Sequence, residues 1–286
     1  MTEILTWNIQ CGLGVDGHVD LDRIATVIRA MSDPDVICLQ EVCRNMPELD
    51  KGASADQVAP LTELFPDHQP WFGAGIDLIP EDGGAGPRRS FGNMILSRLP
   101  VLSVFFHPLP QPAAAGVKHM PRQATEANVA TPAGPLRVVT THLEYHALSH
   151  RMAQITRLRA LHREAASNMK YPPALAKGPY APLERSAEMV LCGDFNLEPD
   201  CAEYAEILAS LADGAPPIED GWRCVHGERP HDPTCGIHDH KQWPGGEHCR
   251  DFFFMTPAVC ARTKDIRVDV ETDASDHQPL LLVLDD

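Results

Sequence analysis

Apolar residues in this chain fall in short runs, separated by polar stretches rich in Gly and Pro. The runs Ile4–Ile9, Val36–Gln40, Gly92–Ser97, Val101–Phe106, Gln123–Ala130, Leu136–Leu143, Met189–Cys192, Asp251–Met255 and Gln278–Leu284 have the length and composition of β-strands. A helical period replaces this pattern in three places. In VDLDRIATVIRAMS, Leu21, Ile24, Val27, Ile28 and Met31 share one face, and Asp20 is the predicted N-cap. In LSHRMAQITRLRALHREA, Met152, Ile155, Leu158 and Leu161 form a second face. Ala202–Leu211 forms a third, with Tyr204, Ile207, Leu208 and Leu211 on one side. Strands outnumber helices, and helices sit between groups of strands. That order predicts an α/β sandwich rather than the strict alternation of a doubly wound sheet.

Four connections are long: Ile76–Arg89 with EDGGAGPRR, Pro108–Pro121 with PLPQPAAAG, Tyr171–Glu188 with YPPALAKGPYAPLE, and the His-, Pro- and Gly-rich Asp213–Arg250. Loops of this length are commonly functional or disordered. Strands of the same kind flank each one, so none reads as a domain boundary, and no fixed-period repeat is present. The expectation is one catalytic domain over residues 1–286.

Composition narrows the class. Apolar residues make up 43% and charged residues 22% of 286, as in a globular protein with a substantial core. No run reaches the roughly 18 apolar residues of a membrane helix. The opening MTEILTWNI has neither a basic nor an apolar leader segment, so the expectation is a cytoplasmic protein, and a monomer. The nine cysteines show no CxxC framework, which predicts free thiols in a reducing compartment. The formal net charge is −16, which disfavours a nucleic-acid partner, because such proteins gain affinity by neutralising phosphates. Part of that acid is expected around a cation.

The candidate chemistry lies at strand ends. In LCGDFNL, strand alternation places Asp194 and Asn196 on one side just beyond an apolar run, after a glycine that lets the backbone turn. A carboxylate beside an amide suits activation of a water. A turn with an N-cap would use the same residues. The pattern recurs: Asn8 ends ILTWNIQ, Glu41 follows VICLQ, His142 ends LRVVTTH, Asp251 opens RDFFF, and Asp276 and His277 precede QPLLLVL.

The ordered set TWNIQ, LQE, FGNMILSRLP, TTHLEYH, CGDFN, RDFFF and SDHQPL resembles the endonuclease/exonuclease/phosphatase superfamily, with its deoxyribonuclease-I-like fold. It runs from Thr6 to Leu280. The resemblance implies a four-layer α/β sandwich, two mixed sheets face to face with helices outside, and an active site at one rim. It also implies a Mg²⁺-dependent hydrolase, with Mn²⁺ as a substitute, acting on a phosphodiester or phosphomonoester; the acidic net charge and the His-rich loop favour a small or lipid-like substrate. Glu41 looks like the metal ligand, with Asn8 beside it and Asp276 near the metal or the water. Asp194 would orient and deprotonate the water, and Asn196 would steady it. His277 would stabilise the transition state or protonate the leaving oxygen, with Asp251 raising its pKa. His142 would donate to a phosphate oxygen. Arg122 suits a phosphate contact; Arg88 and Arg89 read equally as solvated charges. Arg151 and Gln154 read as anchors for the helix after the His142 strand. No GxSxG or P-loop pattern is present.

The segment RCVHGERPHDPTCGIHDHKQWPGGEHCRD departs from that family pattern. Cys235-x-x-His238 with His248-Cys249 could chelate zinc, although the spacing matches no common finger. The preferred reading is a substrate-side loop: His238 and Asp239 touch a head group, and Trp222 and Trp243 cover an apolar portion. Val101–Leu109 reads as a buried strand rather than a membrane-contacting hairpin. Alternative readings are a nuclease acting on DNA or RNA, and a binding-only protein on the same fold.

Overall fold

The computed structural model describes residues 1–53, 56–80, 83–84 and 86–286, apart from the side chain of Asp213. Glu81, Asp82 and Ala85 of the 76–89 loop lie outside the described residues. In chain order the strands are β1 Thr2–Asn8, β2 Val36–Arg44, β3 Gln69–Leu78, β4 Arg89–Ser97, β5 Val101–Pro108, β6 Gln123–Thr131, β7 Gly134–His142, β8 Met189–Asp194, β9 Glu219–Asp220, β10 Asp251–Met255, β11 Thr263–Val268 and β12 Leu280–Leu284. The helices are α1 Leu21–Met31, α2 Pro47–Asp50, α3 Val58–Leu64, α4 Leu148–Lys170, α5 Ala202–Leu208, α6 Gly221–His226 and α7 Pro257–Cys260.

The strands form two six-stranded sheets, ordered β11-β12-β1-β2-β4-β3 and β5-β6-β7-β8-β10-β9. Each is antiparallel except for one parallel pair, β1 with β2 and β7 with β8. The central strands are buried on both faces, so they read as continuous apolar runs. Ile4, Val36, Cys38 and Leu282 of the first sheet meet Ala127, Val138, Val190 and Phe253 of the second. On the outer face of the first sheet, Leu5, Trp7, Ile37 and Leu39 pack with Ile24 and Ile28 of α1. On the outer face of the second, Val139, Leu191 and Phe254 pack with Ile155, Leu158 and Leu161 of α4 and Ile207 of α5. The result is the α/β sandwich that the pattern and the resemblance predict.

Asp20 caps α1, its carboxylate accepting the Arg23 backbone N–H at 2.9 Å. The third predicted helix stops short of Leu211. Arg159 of α4 donates to the carbonyls of Ile207 (3.1 Å) and Ala209 (2.8 Å), closing off the last turn of α5. Three strands escape the apolar pattern, β3, β9 and β11, all at sheet edges. β3 carries Pro70, Gly73, Gly75 and Asp77 and is largely exposed. β5 is also an edge strand, not a buried one: Leu102 and Phe106 face outward at 45% and 51% exposure.

The expectation of free thiols fails at one pair. Packing of α6 against α7 brings Cys224 and Cys260 to a Cα separation of 5.9 Å, and they form a disulfide. Cys11, Cys38, Cys43 and Cys192 are free and buried.

A buried ionic network fastens the outer side of the second sheet. Glu126 of β6 accepts from Arg185 Nε at 2.7 Å, faces His107 Nε2 at 3.1 Å, and lies 3.6 Å from Arg137 Nη1. Arg137 also donates to Nδ1 of His162 at 2.7 Å, so His162 donates from Nε2 to the Pro216 carbonyl. Burial opposes ionisation of Glu126, but His107, Arg185 and Arg137 outweigh it and hold the carboxyl down to about 2. A carboxyl depressed in the folded state contributes stability that is complete above its unfolded pKa and is lost as pH falls through the folded one. Stability of the wild type should therefore fall between roughly pH 4.5 and pH 2 by on the order of 3 kcal/mol from this group. Urea melts across that range should show a flatter acid limb for Glu126→Gln; an unchanged limb would exclude Glu126 as its source.

Candidate active site

His142, Asp194 and Asp251 are register partners across β7, β8 and β10, so all three point to one side of the sheet at one level. Gly193 makes this possible. Its φ is +129°, and a Cβ there would stand 2.0 Å from the Thr141 carbonyl oxygen of β7. From the other sheet, Asn8 ends β1 beside Gln40 of β2. The β2–β4 ladder then shifts register between Leu39 and Val42, and Glu41 takes φ +58°. The bulge turns the Glu41 carboxylate toward the second sheet. Asn196 also has positive φ, at +52°. Non-glycine residues in this region are strained, and such strain gathers at functional sites.

Asp194 lies where these elements meet. Its Oδ2 accepts from Asn8 Nδ2 at 3.0 Å and faces His142 Nε2 at 3.3 Å and His277 Nε2 at 3.7 Å. Its Oδ1 accepts the backbone N–H of Asn196 at 2.9 Å. Asn8 also donates to Glu41 at 3.2 Å, so one amide holds carboxylates from both sheets. The Asn196 amide donates to the Leu143 carbonyl at 2.9 Å, fixing the turn after β8. His277 Nδ1 contacts Asp251 Oδ2 at 2.8 Å, and that same oxygen accepts from Thr234 at 2.6 Å. The Trp7 indole donates to the His277 carbonyl at 2.8 Å, tying the 275–279 turn to β1.

Burial and neighbouring charge set the protonation states. Burial would strip the proton from His277, but Asp251, Asp194 and Asp276 surround it and hold its pKa well above the ordinary value. Burial and Arg122 push His142 down to about 3, so its ring is neutral. Burial opposes ionisation of Asp194, yet His142, His277 and the two N–H donors keep its carboxyl below the usual range. Asp251 rises to about 6 by burial, against the pull of His277. Glu41 rises to about 7, by burial and by the negative charge of Asp276.

These groups border a cavity of about 440 Å³. Glu41, Arg122, His142, Asp194, Asn196, Asp276 and His277 all line it, while Asn8 and Asp251 support it from behind. Arg122 is buried, 3.7 Å from Glu144, with Nε and Nη1 free of hydrogen bonds. The sequence reading passed over further lining residues: Lys118 and His119, Glu144, Tyr145 and His146, and Gln242. Glu144, Tyr145 and His146 directly follow His142 in TTHLEYH, so proximity to that motif marks them; Lys118 and His119 reach the cavity only through the fold. Tyr145 and Trp243 form one wall, their ring centroids 6.0 Å apart.

Other expected residues lie elsewhere. His238 is turned away, its Nε2 on the Val270 carbonyl at 2.9 Å, and it does not line the cavity. Trp222 is buried in the core, where its indole donates to Arg229 and Pro230 carbonyls. The zinc arrangement is not assembled: Cys235 meets His248 at 3.1 Å, but among the described residues no metal-sized group includes both with His238 and Cys249. Arg88 and Arg89 pair with Asp77 and Glu48, away from the cavity. Arg151 and Gln154 anchor α4 to the turn after His142, at the Glu144 carbonyl and backbone N–H.

A model of the Endonuclease/Exonuclease/phosphatase family matches residues 5–277. The chain belongs to the endonuclease/exonuclease/phosphatase family. Members of this family are divalent-metal-dependent hydrolases of phosphoesters. A comparison with curated proteins finds no match. Among solved structures, an endonuclease/exonuclease/phosphatase of Beutenbergia cavernae is 27% identical with a TM-score of 0.71, over 98% of this chain and 70% of that one. The mannosyl-6-phosphatase Bt3783 of Bacteroides thetaiotaomicron is 16% identical with a TM-score of 0.67, over 100% of both chains. The 3′ phosphatase NExo of Neisseria, bound to product DNA hairpin, is 21% identical with a TM-score of 0.61, again over 100% of both. The last two likenesses establish a shared fold alone.

The side chains fit a hard divalent cation. Glu41 and Asp276 offer carboxylate oxygens facing one cavity; Arg122 and His277 draw Glu41 down, but burial and the charge of Asp276 outweigh them and leave it raised. Gly193→Ala should destabilise the protein by about 2 kcal/mol or more through the clash with Thr141. A urea melt matching wild type would show that β7 and β8 tolerate a side chain there.

Proposed function

We propose that this protein is a Mg²⁺- or Mn²⁺-dependent phosphoesterase that hydrolyses a small phosphoester with a water oriented by Asp194. The observation that carries the reading is the convergence of His142, His277 and Asn8 on one Asp194 oxygen, within 3.0 to 3.7 Å. The cation, held by Glu41 and Asp276, would supply charge stabilisation to the phosphoryl oxygens.

The remaining steps belong to the chain's own groups. The phosphate enters beside Arg122, whose unpartnered N–H groups suit its oxygens. His142 is neutral and donates one hydrogen bond without adding charge. His277 keeps a proton on each nitrogen: Nδ1–H points at Asp251, and Nε2–H faces the cavity, where negative charge develops on phosphoryl or leaving oxygen. Asp194 is a weak base at rest, because its carboxyl is held low. Phosphoryl transfer through a loose transition state needs little early deprotonation of the nucleophile, so Asp194 orients the water first and takes its proton late.

The surroundings favour a small substrate over nucleic acid. The cavity continues into a groove of about 700 Å³ lined by Glu198, Asp200 and Glu203. Its two arginines already have partners, Arg151 with Glu203 at 2.8 Å and Arg250 with Glu198 at 3.5 Å. Such a surface repels a polyanionic backbone and presents no unpaired guanidinium to it.

Release of nitrophenol from bis-p-nitrophenyl phosphate and p-nitrophenyl phosphate, with Mg²⁺ or Mn²⁺ and with EDTA as control, tests the reading and separates diester from monoester activity. Asp194→Ala and His277→Ala should each lower turnover roughly 100-fold or more with the fold intact. Full activity in either variant would overturn the mechanism. Glu41→Gln should raise the cation concentration needed for half-maximal rate; an unchanged titration would remove Glu41 from the metal site. Faster cleavage of a DNA hairpin than of any small ester would replace this reading with a nuclease.

A further inference from the structure

The segment between α6 and β10 forms a strap that lines the cavity with Gln242 and Trp243. At its tip two side chains aim N–H groups at one atom, Oδ2 of Asp276. Gln242 Nε2 donates at 2.7 Å and Trp243 Nε1 at 3.2 Å. That carboxylate is buried and lies 4.0 Å from Nε2 of His277. A buried carboxylate beside an imidazolium is pulled toward it, and rotation about its own bonds would bring the two into direct contact. The two N–H groups oppose that rotation by holding the oxygen in hydrogen bonds.

The strap is rigid enough for the task. Backbone bridges join Cys235 to His248 and to His277 at its base. The Asp239 carboxylate accepts the backbone N–H groups of Lys241 and Gln242, and its carbonyl accepts that of Trp243. The Trp243 ring stands edge-on to His277 at 5.8 Å and to His248 at 5.0 Å, under the Arg250 guanidinium at 5.1 Å. Gln10, beyond β1, donates to Gln242 Oε1 at 3.1 Å, so the first sheet holds the strap as well.

We infer that Gln242 and Trp243 are positioning residues that act through Asp276, keeping its carboxylate directed into the site and out of direct contact with His277. The inference rests on the phosphoesterase reading above. Trp243 then has two separable parts, an N–H that holds Asp276 and a ring that forms a cavity wall together with Tyr145.

Two measurements test it. Trp243→Phe keeps a ring and removes the N–H, and Gln242→Leu removes the other donor. Each should lower kcat about tenfold, the worth of a hydrogen bond to a charged group, with KM little changed. In an Asp276→Ala background neither should lower kcat further. Equal losses in both backgrounds, or losses in KM alone, would overturn the inference. The second readout needs no turnover. In a protein with ¹⁵N-labelled tryptophan, the indole N–H signal missing from Trp243→Phe should shift and exchange faster in Asp276→Ala, while that of Trp7 stays in place. An unmoved Trp243 signal would overturn the inference by itself. If the wild type releases no nitrophenol from either ester, the phosphoesterase reading fails, and the indole signal still decides whether the strap holds Asp276.

Discussion

The register of β7, β8 and β10 is the constraint on which the site depends. His142, Asp194 and Asp251 stand at one level because their strands pair at those positions. A slip of one residue in β8 would turn Asp194 toward α4 and bring Gly193 or Phe195 into the site. Gly193 fixes that register from within, because β7 approaches closer there than any side chain permits. The other half of the site has its own lock, the bulge at Glu41, which reverses the outcome strand alternation alone would give.

These locks oppose a real electrostatic cost. Glu41, Asp194, Asp251 and Asp276 are brought together with little water, and buried like charges resist ionisation. His277, Arg122 and the Asn8 amide offset part of it, yet Glu41 and Asp276 both stay raised above the ordinary carboxylate range. A divalent cation held among these acids would relieve part of that cost. The Glu126 network on the far side of the second sheet is a useful contrast. There each carboxylate oxygen has its cationic partner, the charges are closed on themselves, and the contribution is to stability alone.

Much of this was readable in the sequence, and what escaped has physical reasons. Strand ends carrying Asn8, Glu41, His142, Asp194, Asp251 and His277 stand out because buried central strands are uniformly apolar and the chemistry begins where that run stops. β3 and β11 were illegible because edge strands need only one apolar face, and β3 holds Pro and Gly besides. The Cys224–Cys260 disulfide and the contacts of Gln242 and Trp243 with Asp276 join positions 36, 34 and 33 residues apart. No local spacing rule foretells such pairs. His238 misled for the opposite reason: a histidine in a polar loop looks like a ligand, but here its ring closes the loop on the Val270 carbonyl.

The order of strands has a consequence in time. The first sheet is built from both ends of the sequence, with β12 inserted between β1 and β11. During synthesis β1 and β2 pair early, while the far edge of β1 waits for more than two hundred residues to emerge. His277 and Asp276 arrive with the same late segment. A nascent chain therefore carries an open, apolar strand edge that invites aggregation or chaperone capture, yet it carries no assembled site. The cluster around Asp194 is complete only when β12 closes the sheet, so the last strand made is also the one that finishes the site.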